Sequence, residues 1–216
     1  MPGGEDAGLT GRVALTFDDG PDPVWTPRVL DALDEAGARA TFFIVAPLAL
    51  AYPSVVRRMA DEGHEIGLHC HRHVRHDRMS LAQIRADATN GLEVLGGLGQ
   101  RVRDWRTPWG VVTEGTADVA ESVRLRLVGW TADSGDWRGT SAKAMLDRMS
   151  PGIEDRAIVL MHDSVGPGAS RSGCGETVDL VAPLVDLVRF RGLEPVPVGR
   201  LAGRIPDRNP GSVSAV

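Results

Sequence analysis

Short apolar runs alternate with amphipathic stretches of helical spacing from one end of this 216-residue chain to the other. That rhythm restricts the fold more than any other feature. Neighbouring parallel strands need a crossover between them, and a helix of ten or more residues is the usual one, so strand–helix alternation specifies an α/β domain built on a parallel sheet. The apolar runs place strands at 13–17, 40–45, 64–68, 102–106, 127–131, 157–162 and 194–198. Between them, Thr26-Pro27 offers a helix cap and a proline at the first helical position, with Val29, Leu30 and Leu33 at helical spacing before Gly37. Pro53 opens a second helix that runs to Gly63, and Ser80 with Gln83 forms a capping box for a third. Later helices are expected at 114–124, 141–149 and 177–190.

The length suits one domain, expected over 1–206, followed by a loose tail rich in Pro, Gly and Ser at 207–216. A net charge of −5 with dispersed arginines gives no basic footprint for nucleic acid, and no window has the length of a membrane span. The segment Met1-Pro2-Gly3-Gly4-Glu5-Asp6 lacks the basic start and apolar stretch of a secretory signal, so the expected compartment is the cytoplasm, where Cys70 and Cys174 would stay thiols.

In parallel β/α architectures functional groups gather at the carboxyl ends of the strands. Asp18, Asp19, His69, Arg106, Asp133 and His162 fall at or just past such ends. Adjacent residues at a strand end point in different directions, so of Asp18 and Asp19 one carboxylate can hold a metal while the other handles protons. Five of the six histidines lie between His64 and His76. His69 and His73, four apart, can present ring nitrogens to one ion, and Asp19 would complete a facial set of the kind in which zinc keeps an open position for water. His64, His71 and His76 are lesser candidates as ligands.

Five segments in fixed order then resemble the polysaccharide deacetylases of carbohydrate esterase family 4, over roughly residues 12–200. The first is Thr16-Phe17-Asp18-Asp19-Gly20-Pro21, which by resemblance makes Asp18 the catalytic base and Asp19 a metal ligand. The second, His69-Cys70-His71-Arg72-His73, supplies the two histidine ligands but carries Cys70 where the family has Ser or Thr. That hydroxyl is thought to brace the loop, so a thiol there would alter loop rigidity or metal preference, and a thiolate would itself be competent to ligate. The third, Arg106-Thr107-Pro108-Trp109-Gly110, implies that Arg106 orients Asp18 and that the Trp109 backbone N–H serves an oxyanion. The fourth, Asp133-Ser134-Gly135-Asp136-Trp137, implies Asp133 as the acid that tunes the catalytic histidine and Trp137 as a wall of the substrate groove. The fifth, Leu160-Met161-His162-Asp163, implies Leu160 against the acetyl methyl and His162 as general acid. Asp136 and Asp163 are expected to brace loops.

The resemblance implies a distorted parallel (β/α) barrel and a metal-dependent hydrolase that removes N-acetyl groups from a carbohydrate substrate. The metal would be Zn2+, or another divalent ion such as Co2+ or Ni2+. With no export signal, a soluble intracellular N-acetylhexosamine conjugate is the expected substrate. A related amidase or deformylase acting on a small non-sugar amide, or an inactive carbohydrate-binding relative, would share part of the pattern. The flexible stretch at 166–175 is a candidate lid selecting the substrate.

Overall fold

A computed structural model describes residues 11–201, and the expected tail at 207–216 lies outside the described residues. The strands are β1 (Gly11–Asp18), β2 (Thr41–Val45), β3 (Glu65–Cys70), β4 (Asp104–Trp105), β5 (Arg126–Leu127), β6 (Ala132–Asp133), β7 (Ile158–His162) and β8 (Leu193–Val196). The helices are α1 (Trp25–Glu35), α2 (Ala46–Ala51), α3 (Pro53–Asp61), α4 (Leu81–Gly97), α5 (Glu114–Ser122), α6 (Ala142–Met149) and α7 (Gly175–Phe190). One parallel sheet has the order β5-β4-β3-β2-β1-β7-β6, with β8 also on β1. Residues 11–14 of β1 pair with β8 and residues 14–18 with β7. The sheet curls into an open barrel, and among the described residues no ladder joins its edges, β5 and β6. No helix among these residues is long and apolar enough to cross a membrane.

The strand period of two sorts side chains between the two sides of this sheet. Val13, Leu15 and Phe17 of β1, Phe42 and Ile44 of β2, and Val159 and Met161 of β7 enter the large cluster beneath the helices. Their alternates Ala14, Phe43, Ile158 and Leu160 form the inner cluster with Val128, Trp130 and Val196. Each buried Val, Leu, Ile, Phe or Met among them contributes about 1.5–3 kcal/mol on burial. The same alternation turns Thr16 and Asp18 inward with Ala14, and His162 inward with Leu160. The register sets Asp18 directly opposite His162 on the adjacent strand. A base and an acid therefore arrive at one level of the barrel through strand pairing alone.

Several expected local features take another form. Ser80 and Gln83 make the capping box of α4. Thr26 does not cap α1: the Asp22 carboxylate accepts the N–H groups of Val24 and Trp25 at 2.7 and 2.8 Å, and Thr26 instead donates to Asp163. The expected strands at 102–106 and 127–131 shrink to the two-residue β4 and β5, while α2 and β6 are elements the periodicity does not single out. Two-residue strands are too short to show a period, and α2 has only six residues.

Candidate active site

Asp18 ends β1 with its carboxylate against Arg106, whose guanidinium donates to Asp18 at 2.9 Å and to the Thr16 hydroxyl at 2.6 Å. Arg106 is fully buried, lies 4.2 Å over the Phe43 ring, and gives its remaining donors to the carbonyls of Val128 and Gly129. With all three of its guanidinium nitrogens engaged, it holds Asp18 in one orientation.

Asp19 has a left-handed backbone at φ 75°. This conformation costs a non-glycine residue about 1–2 kcal/mol, least for Asp and Asn, and it separates the Asp19 carboxylate from that of Asp18. Asp19 Oδ1 lies 3.3 Å from His69 Nε2 and 3.0 Å from His73 Nε2, and the two ring nitrogens are 3.2 Å apart. His69 donates from Nδ1 to the Arg106 carbonyl at 2.7 Å, which leaves its Nε2 as a lone pair facing a carboxylate. Electron-rich atoms packed together in a buried site call for a cation, and two imidazoles with one carboxylate are a donor set that Zn2+ takes. Asp19 Oδ1 is buried and has no hydrogen-bond donor among the described residues, which leaves the carboxylate for the ion.

Of the lesser candidates, His64 and His76 make structural contacts. His64 Nδ1 accepts the Ala40 N–H at 3.1 Å, and burial lowers its pKa to about 4. His76 pairs with the Thr116 hydroxyl at 3.0 Å. His71 lies outside the Asp19, His69 and His73 group. Cys70 is also outside it, and burial pushes its thiol well above the ordinary value. The loop is braced by Asp87, whose buried carboxylate accepts the N–H groups of His71 and Arg72 at 2.8 and 2.7 Å.

The partner of His162 is Asp136, not Asp133. Asp136 Oδ1 meets His162 Nδ1 at 2.7 Å, and Oδ2 accepts the His162 backbone N–H at 2.8 Å. Asp133 instead accepts the Gly135 N–H at 2.7 Å. The turn explains the difference: Gly135, at φ 67°, reverses the chain after β6 and carries Asp136 under the end of β7, while Asp133 stays in register with Leu160. Burial disfavours a charged His162, but the Asp136 charge and hydrogen bond outweigh it and its pKa is pushed up to about 9, with Asp136 held down at about 2. Asp163 has the bracing place expected of it, taking the Thr26 hydroxyl, and burial raises its pKa to about 7.

These groups open on a cleft of about 510 Å³ lined by Asp18, Asp19, His69, His73 and His162 together with Trp109, Asp133, Trp137 and Leu160. Trp109, with its backbone at φ 54°, sets its ring edge-on to His73 at 4.3 Å. Sequence reasoning missed Arg171 and Thr177, which both bind Asp136 Oδ2, at 3.0 and 2.9 Å. Arg171 lies in a Gly- and Ser-rich loop with no periodicity to mark it. That loop is packed at both ends: a side chain at Gly166 would collide with Asp19 Oδ2, and one at Gly173 would collide with Trp25. Gly166→Ala is therefore expected to displace the Asp19 carboxylate and weaken Zn2+ binding roughly 10–100-fold, the usual cost of disturbing a ligand's support. Titration calorimetry checks this, and unchanged affinity would show that the carboxylate moves freely.

A family model described as polysaccharide deacetylase matches residues 7–128. The chain is 33% identical over 173 residues to a peptidoglycan-N-acetylglucosamine deacetylase of Bacillus cereus, which covers 80% of this chain but 62% of that protein. It thus spans less than two thirds of that relative's length. To a chitooligosaccharide deacetylase of a Bradyrhizobium species it is 31% identical over 203 residues, 91% of this chain and 93% of the relative. Its fold is similar to that of a family 4 carbohydrate esterase from Streptomyces lividans solved with acetate, at a TM-score of 0.80 and 27% identity, over 92% of this chain and 100% of that one.

Proposed function

The chain belongs to the polysaccharide deacetylase family, and from that premise we propose that it is a metal-dependent carbohydrate N-deacetylase, hydrolysing the N-acetyl group of an N-acetylglucosamine-type sugar. The observation that carries this reading is the meeting, in one cleft, of a cation-demanding Asp19, His69 and His73 set with an Arg106-held carboxylate and an Asp136-held imidazole. Asp19, His69 and His73 would hold a divalent cation, Zn2+ by the chemistry of the donors. When bound, such an ion polarises an acyl oxygen and lowers the pKa of water from about 15.7 to about 7.

Asp18 takes a proton from the attacking water, in an orientation fixed by Arg106. The water oxygen adds to the acetyl carbon, and the carbon–nitrogen bond then breaks. His162 gives its proton to the departing nitrogen, so the products are acetate and a free amine on the sugar. The backbone N–H of Trp109 is assigned to the developing oxyanion, where one preorganised donor is worth about 2.7–4 kcal/mol. Leu160 offers an apolar contact for the acetyl methyl, and Trp137 offers an aromatic wall for the sugar ring.

The test is acetate release by Zn2+-loaded protein from a panel running from soluble N-acetylglucosamine conjugates through chitooligosaccharides to peptidoglycan, with Asp18→Asn as the blank. Release above the blank is expected from at least one N-acetylated sugar, and the pattern over the panel gives the substrate size. No release from any member by metal-loaded protein would overturn the reading.

A further inference from the structure

Asp136 orients His162, and Arg171 in turn grips Asp136. One guanidinium nitrogen of Arg171 donates to Asp136 Oδ2 at 3.0 Å and to the Thr177 hydroxyl at 2.6 Å, and the other donates to the carbonyls of His162 and Ser164, both at 3.0 Å. The side chain is 5% exposed. His162 is consequently held at its backbone N–H and ring Nδ1 by Asp136 and at its carbonyl by Arg171. The planar fork of a guanidinium suits this, because its two nitrogens are held apart and reach separate pairs of acceptors, whereas the donors of an ammonium all radiate from one atom.

We propose that Arg171 is a positioning residue for the acid half of the reaction. It fixes the Asp136 carboxylate so that Nδ1 of His162 stays engaged and the opposite edge of the ring is presented for proton transfer. It does so from within the 166–175 segment, which makes that segment a fixed wall of the cleft instead of a lid. This inference rests on the deacetylase reading above. The role is confined to proton donation: the Asp19, His69 and His73 set and the Arg106–Asp18 pair stand on other strand ends.

Leaving-group chemistry isolates that role. An amine must be protonated to depart, whereas 4-nitrophenolate is a weak base that leaves from 4-nitrophenyl acetate without a proton. Arg171→Met is expected to lower kcat for the N-acetyl sugar roughly 10–100-fold, in line with the loss of a supporting contact, while KM stays within about threefold. The amide-to-ester ratio of turnover then falls by the same factor, Asp136→Asn lowers it likewise, and Arg171→Lys restores part of it. Equal losses on amide and ester, or no loss on either, would overturn the proposal by showing a merely structural role or none. Should Arg171→Met fail to fold, Arg171→Lys, which keeps the charge without the fork, carries the same ratio test. Unaltered protein that releases no acetate from any sugar overturns the deacetylase reading along with this one. Activity on sugars with an unmoved ratio in the variants overturns this one alone.

Discussion

Asp136→Asn is expected to lower turnover of an N-acetyl sugar by roughly 10²–10⁴-fold, the range a positioned general acid contributes, while Asp133→Asn stays within about tenfold of the parent. The asymmetry follows from what each carboxylate does. Asp133 accepts one backbone N–H, and an asparagine oxygen accepts it equally well. Asp136 carries the charge that overcomes burial and pushes the pKa of His162 up to about 9. The sign is that of a raised histidine: the acid form is fully present below the ordinary value of 6.5 and is lost as pH rises through about 9. Asp136→Asn therefore moves the alkaline limb of the rate profile to lower pH as well as lowering its plateau. A dication on Asp19 opposes a charged His162 and draws the alkaline limb below about 9, but the larger influence of Asp136 stays in place. Because the substitution strips a buried Arg171 of its counter-ion, each profile is measured below the variant's own unfolding temperature. Equal effects at 133 and 136 would reject the assignment of Asp136 as the histidine's partner.

The two adjacent carboxylates separate in a second experiment with a comparably large effect. Asp18→Asn is expected to keep one equivalent of Zn2+ through dialysis and to lose roughly 10²–10⁴-fold in turnover, as removal of a general base does. Asp19→Asn loses the ion and the turnover together, since a neutral amide oxygen is a far weaker ligand for a dication than a carboxylate. Metal content by atomic emission, read beside acetate release, distinguishes the two. Loss of zinc from the Asp18→Asn protein would place that carboxylate in the coordination sphere and require a different base.

Much of this site was legible in the sequence because it depends on strand parity and strand ends. A period of two puts Asp18, Leu160 and His162 on the inner side once the apolar runs are assigned, and parallel order brings their carboxyl ends to one rim. His69 and His73 were legible for another reason, their four-residue spacing within one contiguous motif. The partner of His162 was not. Asp133 and Asp136 are three residues apart in a turn, and the choice between them rests on Gly135 adopting positive φ, a conformation that a glycine permits but does not require. The capping of α1 was not legible either: the Asp22 N–H donates to the Thr26 hydroxyl, which itself donates to Asp163, and only packing decides that relay.

By itself, then, the sequence determined the α/β class, the places of the long strands along the chain, and the identity of Asp18, Asp19, His69, His73, Arg106 and His162 as the residues gathered at one rim. Each depends on local periodicity or on chemistry written into contiguous motifs. The tertiary structure alone decided that Asp136 holds His162, that Arg171 reaches across from the loop at 166–175, and that Asp87 braces the histidine loop where Cys70 stands in place of a hydroxyl residue. Those contacts join residues 9–35 positions apart, from different elements and loops. Their geometry is fixed by packing between elements, and the period that turns Asp87 to the buried face of α4 does not say which N–H groups it meets.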